Sequence, residues 1–274
     1  MSLSSLPLPS SVFTILSGLI EERLGIFYSL DDSDLLAEKV SPRAIERGFD
    51  SLLDYYYFLR YDPAAEAEMA PLADALVVNE TYFGRERDQL EVLVDRLLPP
   101  LLEGRDKVRI WSAACSTGEE PLTLAGLLSE RGLLPRVEIV ASDISQRALT
   151  VAKAGKFKGR SLRALPPGAS AWLDIDDQVA TVRESVARSV SWHRLNLVDS
   201  RAVRELGRFD VILCRNVLIY FRDATIKELA AAFEASLTPN GFLLIGASES
   251  LLRFGGGLHC EEHGGAFFYR KVSP

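Results

Sequence analysis

Histidine, cysteine and methionine are scarce in this chain: three, three and two among 274 residues. The cysteines, Cys115, Cys214 and Cys260, are odd in number and far apart, which argues for buried, reduced thiols of a cytoplasmic protein. No apolar run reaches the roughly 18 residues that a membrane span needs, so direct membrane insertion is not expected. The first residues lack a basic n-region and a clear cleavage site and do not read as a signal peptide. A positive excess is missing as well. Net charge is −7, and nothing makes a nucleic-acid footprint. The acidity is concentrated at the start: residues 1–75 hold five basic and thirteen acidic side chains, a net of −8, and the rest is near neutral.

What is present is an ordinary globular balance, 47% hydrophobic and 25% charged. The length suits one large domain or a small one plus a medium one. Residues 11–75 read as helical: Val12, Ile15, Leu16, Leu19 and Ile20 recur at helical spacing, as do Leu52, Leu53, Tyr56, Tyr57 and Leu59. Ser41-Pro42 is expected to divide the first half of this region, and Asp62-Pro63 to end the Tyr-rich helix and start another. No strand is expected here. The domains are expected at 1–75, helical, and 76–274, built on a sheet.

From about residue 107 the pattern changes. Strands are expected at 108–115, 137–143, 189–197, 209–221, 241–250 and 266–272, and helices at 119–132, 145–155 and 223–237, the last ended by Pro239-Asn240-Gly241. That alternation implies an α/β fold with a mostly parallel, doubly wound sheet. Ligands of such sheets bind at the carboxyl ends of the strands. Residues 157–192 break the alternation, with β-prone pieces around Trp172–Ile175 and Val179–Val182, and are expected to form an inserted antiparallel flap.

The first strand-to-helix turn, SAACSTGEEP, has one glycine, Gly118, where a dinucleotide site wants G-x-G-x-x-G. Glu119 and Glu120 follow. Two carboxylates would repel a pyrophosphate, but they suit a ligand with an ammonium or sulfonium and no phosphate, or they simply favour a helix N-terminus. Asp143 ends the second strand, where an acid commonly accepts ribose hydroxyls or caps a helix. Asn196, Leu197, Arg215 and Asn216 stand at two further strand ends. His259, Cys260 and His263 form H-C-E-E-H, which lacks the H-E-x-x-H pattern, so no metal is expected. Trp111, Trp172 and Trp192 are expected to be packing residues, and the Tyr55–Phe58 run the core of the helical part.

NETYFGR (79–85), WSAACSTGEEPLTLA, SDI, FDVILCRNVLIYF and LTPNGFLLIGASESL occur in that order across residues 76–250. Together they closely resemble the CheR-type chemotaxis protein methyltransferases, and the helical start resembles that family's N-terminal domain more loosely. The resemblance implies a Rossmann-like methyltransferase sheet and the cofactor S-adenosyl-L-methionine, released as S-adenosyl-L-homocysteine. By the same resemblance Asn79, Thr81 and Arg85 reach the cofactor from the linker, and Glu119 faces its methionine ammonium. Asp143 takes the ribose, Asn196 and Leu197 the adenine side, and Arg215 and Asn216 line the cofactor. Arg85 and Tyr220 are the implied catalytic pair. Gly84 departs from the pattern, where a second Phe is usual.

Family members methylate receptor glutamates, so the expected partner is the cytoplasmic helical region of a chemoreceptor, met by a monomer. The alternatives are a carboxyl or small-molecule methyltransferase outside chemosensing and a catalytically silent cofactor-binding adaptor. A glutamate carboxylate is already ionised at pH 7, so no general base is required and orientation is the main source of rate. Lys39, Arg43 and Arg47 recur every four residues and are expected to offer a local basic stripe to the receptor. In some family members the flap binds a receptor C-terminal peptide beside a Gly-containing loop. The stretch 173–178 here has no Gly and three aspartates, which predicts no such tether.

Overall fold

The computed structural model describes residues 5–272. Its first part is four helices: α1 (Ser10–Leu24), α2 (Ser33–Glu46), α3 (Leu52–Tyr61) and α4 (Ala65–Leu76). Their apolar faces close one core around Leu16, Ile20, Leu36, Val40, Leu52, Tyr55 and Leu72. Gly25 ends α1 at φ +77, and its missing Cβ leaves room for Val198, which that atom would meet at 2.7 Å. Pro42 does not divide the region. It lies inside α2, and the carbonyl left without its amide partner belongs to exposed Glu38, where water can serve it. Ser41 does not cap; its Oγ donates to the Ala37 carbonyl at 2.5 Å and accepts from Leu6 N at 2.8 Å. The break at Asp62-Pro63 falls between α3 and α4 as expected.

A linker leads to a helical rod: α5 (Arg87–Val92), a π-helical turn (Leu93–Leu97) and α6 (Leu98–Leu102). The sheet follows, with β1 (Val108–Ala113), α7 (Glu119–Glu130), β2 (Val137–Asp143) and α8 (Gln146–Ala154). After the inserted flap come β6 (Val190–Arg194), α10 (Ser200–Glu205), β7 (Phe209–Cys214), α11 (Asp223–Ser236), β8 (Leu237–Ile245), β9 (Leu258–His263) and β10 (Ala266–Lys271). The strand order is β6-β2-β1-β7-β8-β10-β9. The first five run parallel, and β10 and β9 pair antiparallel. The order therefore reverses between β1 and β7, the switch point at which such sheets bind ligands.

The flap contains β3 (Lys156–Lys158), β4 (Leu173–Asp176), β5 (Val179–Val182) and the short α9 (Glu184–Ala187). Its three strands pair antiparallel in the order β3-β5-β4. Asp177 and Gln178 form a two-residue hairpin turn at φ +38 and +67, so the acidic stretch 173–178 is strand and tight turn rather than open loop. Phe83 is fully buried against Phe157 and Trp172, with ring centroids 4.8 and 5.6 Å away. Gly84 stands at φ +76, and a Cβ there would come within 2.9 Å of the Ala164 carbonyl. A phenylalanine cannot occupy this backbone.

Three boundaries differ from expectation. The strand from Phe209 stops at Cys214, because Asn216 turns into the left-handed region at φ +59. The eighth strand begins at Leu237, before Pro239-Asn240, with Asn240 at φ +62 and an irregular register opposite Phe209–Val211. His259–His263, to which the sequence assigned no element, lies in strand β9 on the sheet edge, where partial exposure of both faces leaves no apolar alternation to find. Cys115 and Cys214 are buried, and Cys260 is half-buried. The tryptophans pack: Trp172 covers Gly126, whose Cβ would lie 2.3 Å from it, and Trp111 donates to Ser142 Oγ at 2.9 Å.

Candidate active site

The turn after β1 is tight. Ala114 and Ser116 sit at φ +56 and +52, and Gly118 at φ +93. A Cβ on Gly118 would lie 2.7 Å from the Trp192 ring and 2.8 Å from Ala152 Cβ. The glycine therefore serves close packing of α7, not the approach of a phosphate. The two glutamates diverge. Glu120 lines the main cleft, accepting from Ser112 Oγ at 2.6 Å and from Arg215 Nη1 at 2.9 Å. Glu119 is fully buried and turns to the flap side, accepting from Thr117 Oγ1 and Ser161 Oγ, both at 2.6 Å.

Asp143 ends β2 with its carboxylate clamped between two backbones. Oδ2 accepts from Ser116 N at 2.7 Å and Oδ1 from Ser145 N at 2.8 Å. Burial pushes its carboxyl above the usual range, against those N–H groups. Each oxygen keeps a lone pair, so a ribose hydroxyl can add to the set. Ser145, not Asp143, caps α8, accepting from Ala148 N at 3.0 Å.

The turn after β7 is held from two sides. Glu249 accepts from the backbone N–H groups of Asn216, Leu218 and Gly246 at 2.7–2.8 Å. Glu86, at φ +47, accepts from Asn216 Nδ2 at 3.0 Å, Ala247 N at 3.1 Å and Arg215 Nη2 at 3.2 Å. Burial pushes the Glu86 carboxyl up, but the Arg215 charge and these donors outweigh it and hold the group below its usual range. The Arg215 side chain is 2% exposed. Its guanidinium is committed to Gln89, Glu120, Glu86 and the Arg85 carbonyl. Among the described residues the Arg85 side chain donates only to the Glu80 carbonyl, at 3.0 Å, which leaves N–H groups for a ligand. Burial pushes the half-buried Tyr220 phenol above its usual value, and the Arg85 charge draws it only part of the way back.

The helical part closes the cleft. Phe27 N donates to the Tyr220 carbonyl at 2.9 Å, and Ile26 bridges to Phe221, one extended contact in a region expected to hold none. Asn196 lies two residues beyond β6, with Nδ2 on the Arg23 carbonyl at 2.8 Å. Lys39, which also lines the cleft, donates to the Leu76 carbonyl at 2.5 Å.

The cleft measures about 560 Å³, the size of a cofactor site. Nine of the ten expected residues line it: Asn79, Thr81, Arg85, Asp143, Asn196, Leu197, Arg215, Asn216 and Tyr220. Glu119 lines a second cavity that shares Asn79 and Thr81 with the first. Sequence reasoning missed Glu86, which follows the NETYFGR stretch, and Glu249, which lies within LTPNGFLLIGASESL, and gave Glu120 no separate role. Leu195, Leu197 and Val78 offer apolar wall for a base, and Asp143 sits at the second strand end. With Glu120 on the wall and the Gly118 turn closed by packing, the arrangement fits a sulfonium nucleoside better than a pyrophosphate. Bound there, S-adenosylmethionine would meet Asp143 with its ribose, the Leu195–Leu197 wall with its adenine and Arg85 with its carboxylate.

Comparison with known proteins agrees. Residues 79–261 match the family described as "CheR methyltransferase, SAM binding domain", and residues 12–77 match "CheR methyltransferase, all-alpha domain". The chain is 36% identical to a chemotaxis protein methyltransferase of Vibrio parahaemolyticus, over 86% of this chain and 87% of that one. It is 34% identical to chemotaxis protein methyltransferase 2 of Vibrio cholerae (87% and 85% covered) and 33% identical to chemotaxis protein methyltransferase 1 of Pseudomonas aeruginosa (87% and 90%). The chain belongs to the CheR methyltransferase family, the S-adenosylmethionine-dependent methyltransferases of chemotaxis.

Proposed function

We propose that this protein esterifies glutamate side chains in the cytoplasmic helical region of a chemoreceptor, as part of sensory adaptation. The observation that carries the reading is that the cleft offers no histidine, no thiolate and no carboxylate without a donor already on it. None of the three histidines lines it. Burial pushes the Cys115 thiol well up, so it is no thiolate. Every carboxylate lining the cleft already holds a donor: Asp32 from Ser29, Glu80 from Arg163, Glu120 from Arg215 and Asp143 from Ser116, and the Lys39 ammonium is bound to the Leu76 carbonyl. An amine or alcohol substrate would need deprotonation. A glutamate carboxylate would not, because it is ionised near neutrality.

S-adenosylmethionine supplies the methyl group and its own thioether leaving group. The chain's residues then have to orient and to exclude water. Arg85 holds the cofactor carboxylate rather than the incoming one, whose nucleophilicity a close guanidinium would blunt. The Tyr220 phenol, kept protonated, donates toward the reacting carboxylate and aligns it. Asn216, fixed by Glu86, shapes the floor. The reading places the protein in the cytoplasm beside its receptor, and a site made by one chain suits a monomer. Transfer of labelled methyl from S-adenosylmethionine to a receptor fragment, followed by mild base, tests it: glutamate methyl esters release methanol, and N-methyl products do not.

A further inference from the structure

Between Ile144 and Leu173 this acidic chain has no aspartate or glutamate and six basic residues. All six are exposed. Arg147 donates to the Asp74 carbonyl at 3.1 Å, and Arg163 pairs with Glu80 at 3.3 Å over the Tyr82 ring. The other four, Lys153, Lys156, Lys158 and Arg160, have no ion pair and no side-chain hydrogen bond among the described residues.

These four are neighbours. Lys153 is in the last turn of α8, and Gly155 at φ +63 turns the chain into β3. Lys156 and Lys158 flank buried Phe157, so strand alternation puts both on the outer face of the flap. Arg160 follows in the next turn. Lys158 and Arg160 line the second cavity, about 600 Å³, which meets the main cleft at Asn79 and Thr81. The acids lining that cavity are Glu119, whose oxygens are both occupied, and Asp177 at the hairpin tip.

The basic stripe of α2 offers no such free charge. Arg43 is bound to Glu68 through Nε and Nη2 at 2.9 and 2.8 Å, Lys39 to the Leu76 carbonyl, and Arg47 stands 3.7 Å from Glu68 and over the Phe58 ring.

We propose that the α8–β3 face, Lys153, Lys156, Lys158 and Arg160, is the docking surface for the acidic protein segment that carries the methylated glutamates. This rests on the carboxylate-methylation reading above. Charge complementarity selects the partner: four unpaired cations in a chain of net −7 attract a short acidic segment. A long polyphosphate or an anionic bilayer would also meet the acidic hairpin of Asp174, Asp176 and Asp177 on the same flap. The surface delivers the segment beside the cavity that opens toward Thr81.

The test compares the full chain with Lys156→Glu/Lys158→Glu/Arg160→Glu, with the corresponding glutamine triple, and with Arg188→Glu/Arg201→Glu as a control on exposed charges elsewhere. Anisotropy of a labelled chemoreceptor cytoplasmic fragment reads binding, radiolabel transfer reads methylation, and S-adenosylhomocysteine calorimetry reads folding and the cofactor site. At low salt the glutamate triple raises Kd and KM for the fragment about tenfold, the glutamine triple less, with kcat and S-adenosylhomocysteine affinity unchanged and the effect shrinking as salt rises. Unchanged Kd and KM in a triple that still binds S-adenosylhomocysteine overturn the docking surface. So does tighter binding of duplex DNA or phosphatidylglycerol vesicles that the reversal abolishes while methylation persists. A fragment that binds wild type, is lost by the triple and gains no methyl group upholds the surface and refutes the glutamate reading instead.

Discussion

The Glu86 carboxylate accepts from the Asn216 side-chain amide at 3.0 Å, joining two residues that both lie in the left-handed region, at φ +47 and +59. Such conformations cost of order 1–3 kcal/mol each outside glycine and persist where the surroundings over-determine them. Here the surroundings are Arg215 from below, Glu249 from β8's end and the Ala247 amide. The linker and the turn after β7 therefore form one rigid wall of the cleft.

Glu86→Gln removes the charge that faces Arg215 and leaves an amide N–H₂ against at least one of three donors that need an acceptor. A loss of about 2 kcal/mol at pH 7 is expected, read as a lower denaturant midpoint at constant slope, with weaker S-adenosylhomocysteine binding. Because folding lowers the Glu86 pKa from 4.5, its contribution is present above that value and disappears as pH falls through the folded value. The stability gap between wild type and Glu86→Gln should close on acidification below about pH 4.5. A gap that is the same at pH 3 and pH 7 would contradict this.

Tyr220→Phe removes one hydroxyl that has no hydrogen-bond partner among the described residues. Stability should change by less than about 0.5 kcal/mol. Turnover on a protein substrate should fall about tenfold or more, while S-adenosylhomocysteine affinity stays within about twofold. Wild-type turnover in this variant would remove Tyr220 from the transfer step.

Asp143→Ala should weaken cofactor binding by about 1–3 kcal/mol through lost ribose hydrogen bonds. It should also destabilise the free protein, since the Ser116 and Ser145 N–H groups lose their acceptor. Asp143→Asn keeps one carbonyl oxygen for them and should separate the effects, with the smaller stability loss of the two. Calorimetry showing unchanged affinity in both variants would exclude a ribose contact.

Arg43→Glu should act on the fold rather than on receptor docking. It places a carboxylate against Glu68, which is 3% exposed and also accepts from the Tyr55 hydroxyl at 2.8 Å. A loss of about 3–5 kcal/mol is expected, as for breaking a buried pair. A variant with wild-type melting behaviour and a selective rise in receptor KM would restore the stripe on α2 as a docking element.

The centre of the sheet was legible because β1, β2 and β7 are buried on both faces and the helices between them stop at Gly or polar turns, so each element of the β1–α8 stretch carries its own signal. Nine residues that line the cleft were named through motif order, not through spacing alone. Pro42 misled because an exposed i−4 carbonyl makes an internal proline tolerable. The strand β9 was hidden because an edge strand needs no apolar alternation. Glu86 and Glu249 take most of their donors from residues far away in sequence, and Arg43 is neutralised from a different helix. Pairings of that kind are set by tertiary packing and leave no local pattern.

The most direct test of the central claim is the identity of the methylated atom. The protein is incubated with S-adenosylmethionine and the cytoplasmic fragment of a chemoreceptor from the same cell, and the modified peptides are sequenced by mass spectrometry. Methyl esters on specific glutamates, released by mild base and absent from fragments in which those glutamates are replaced by alanine, are the predicted result. Base-stable methyl groups on nitrogen, or methyl transfer only to small molecules, would contradict it.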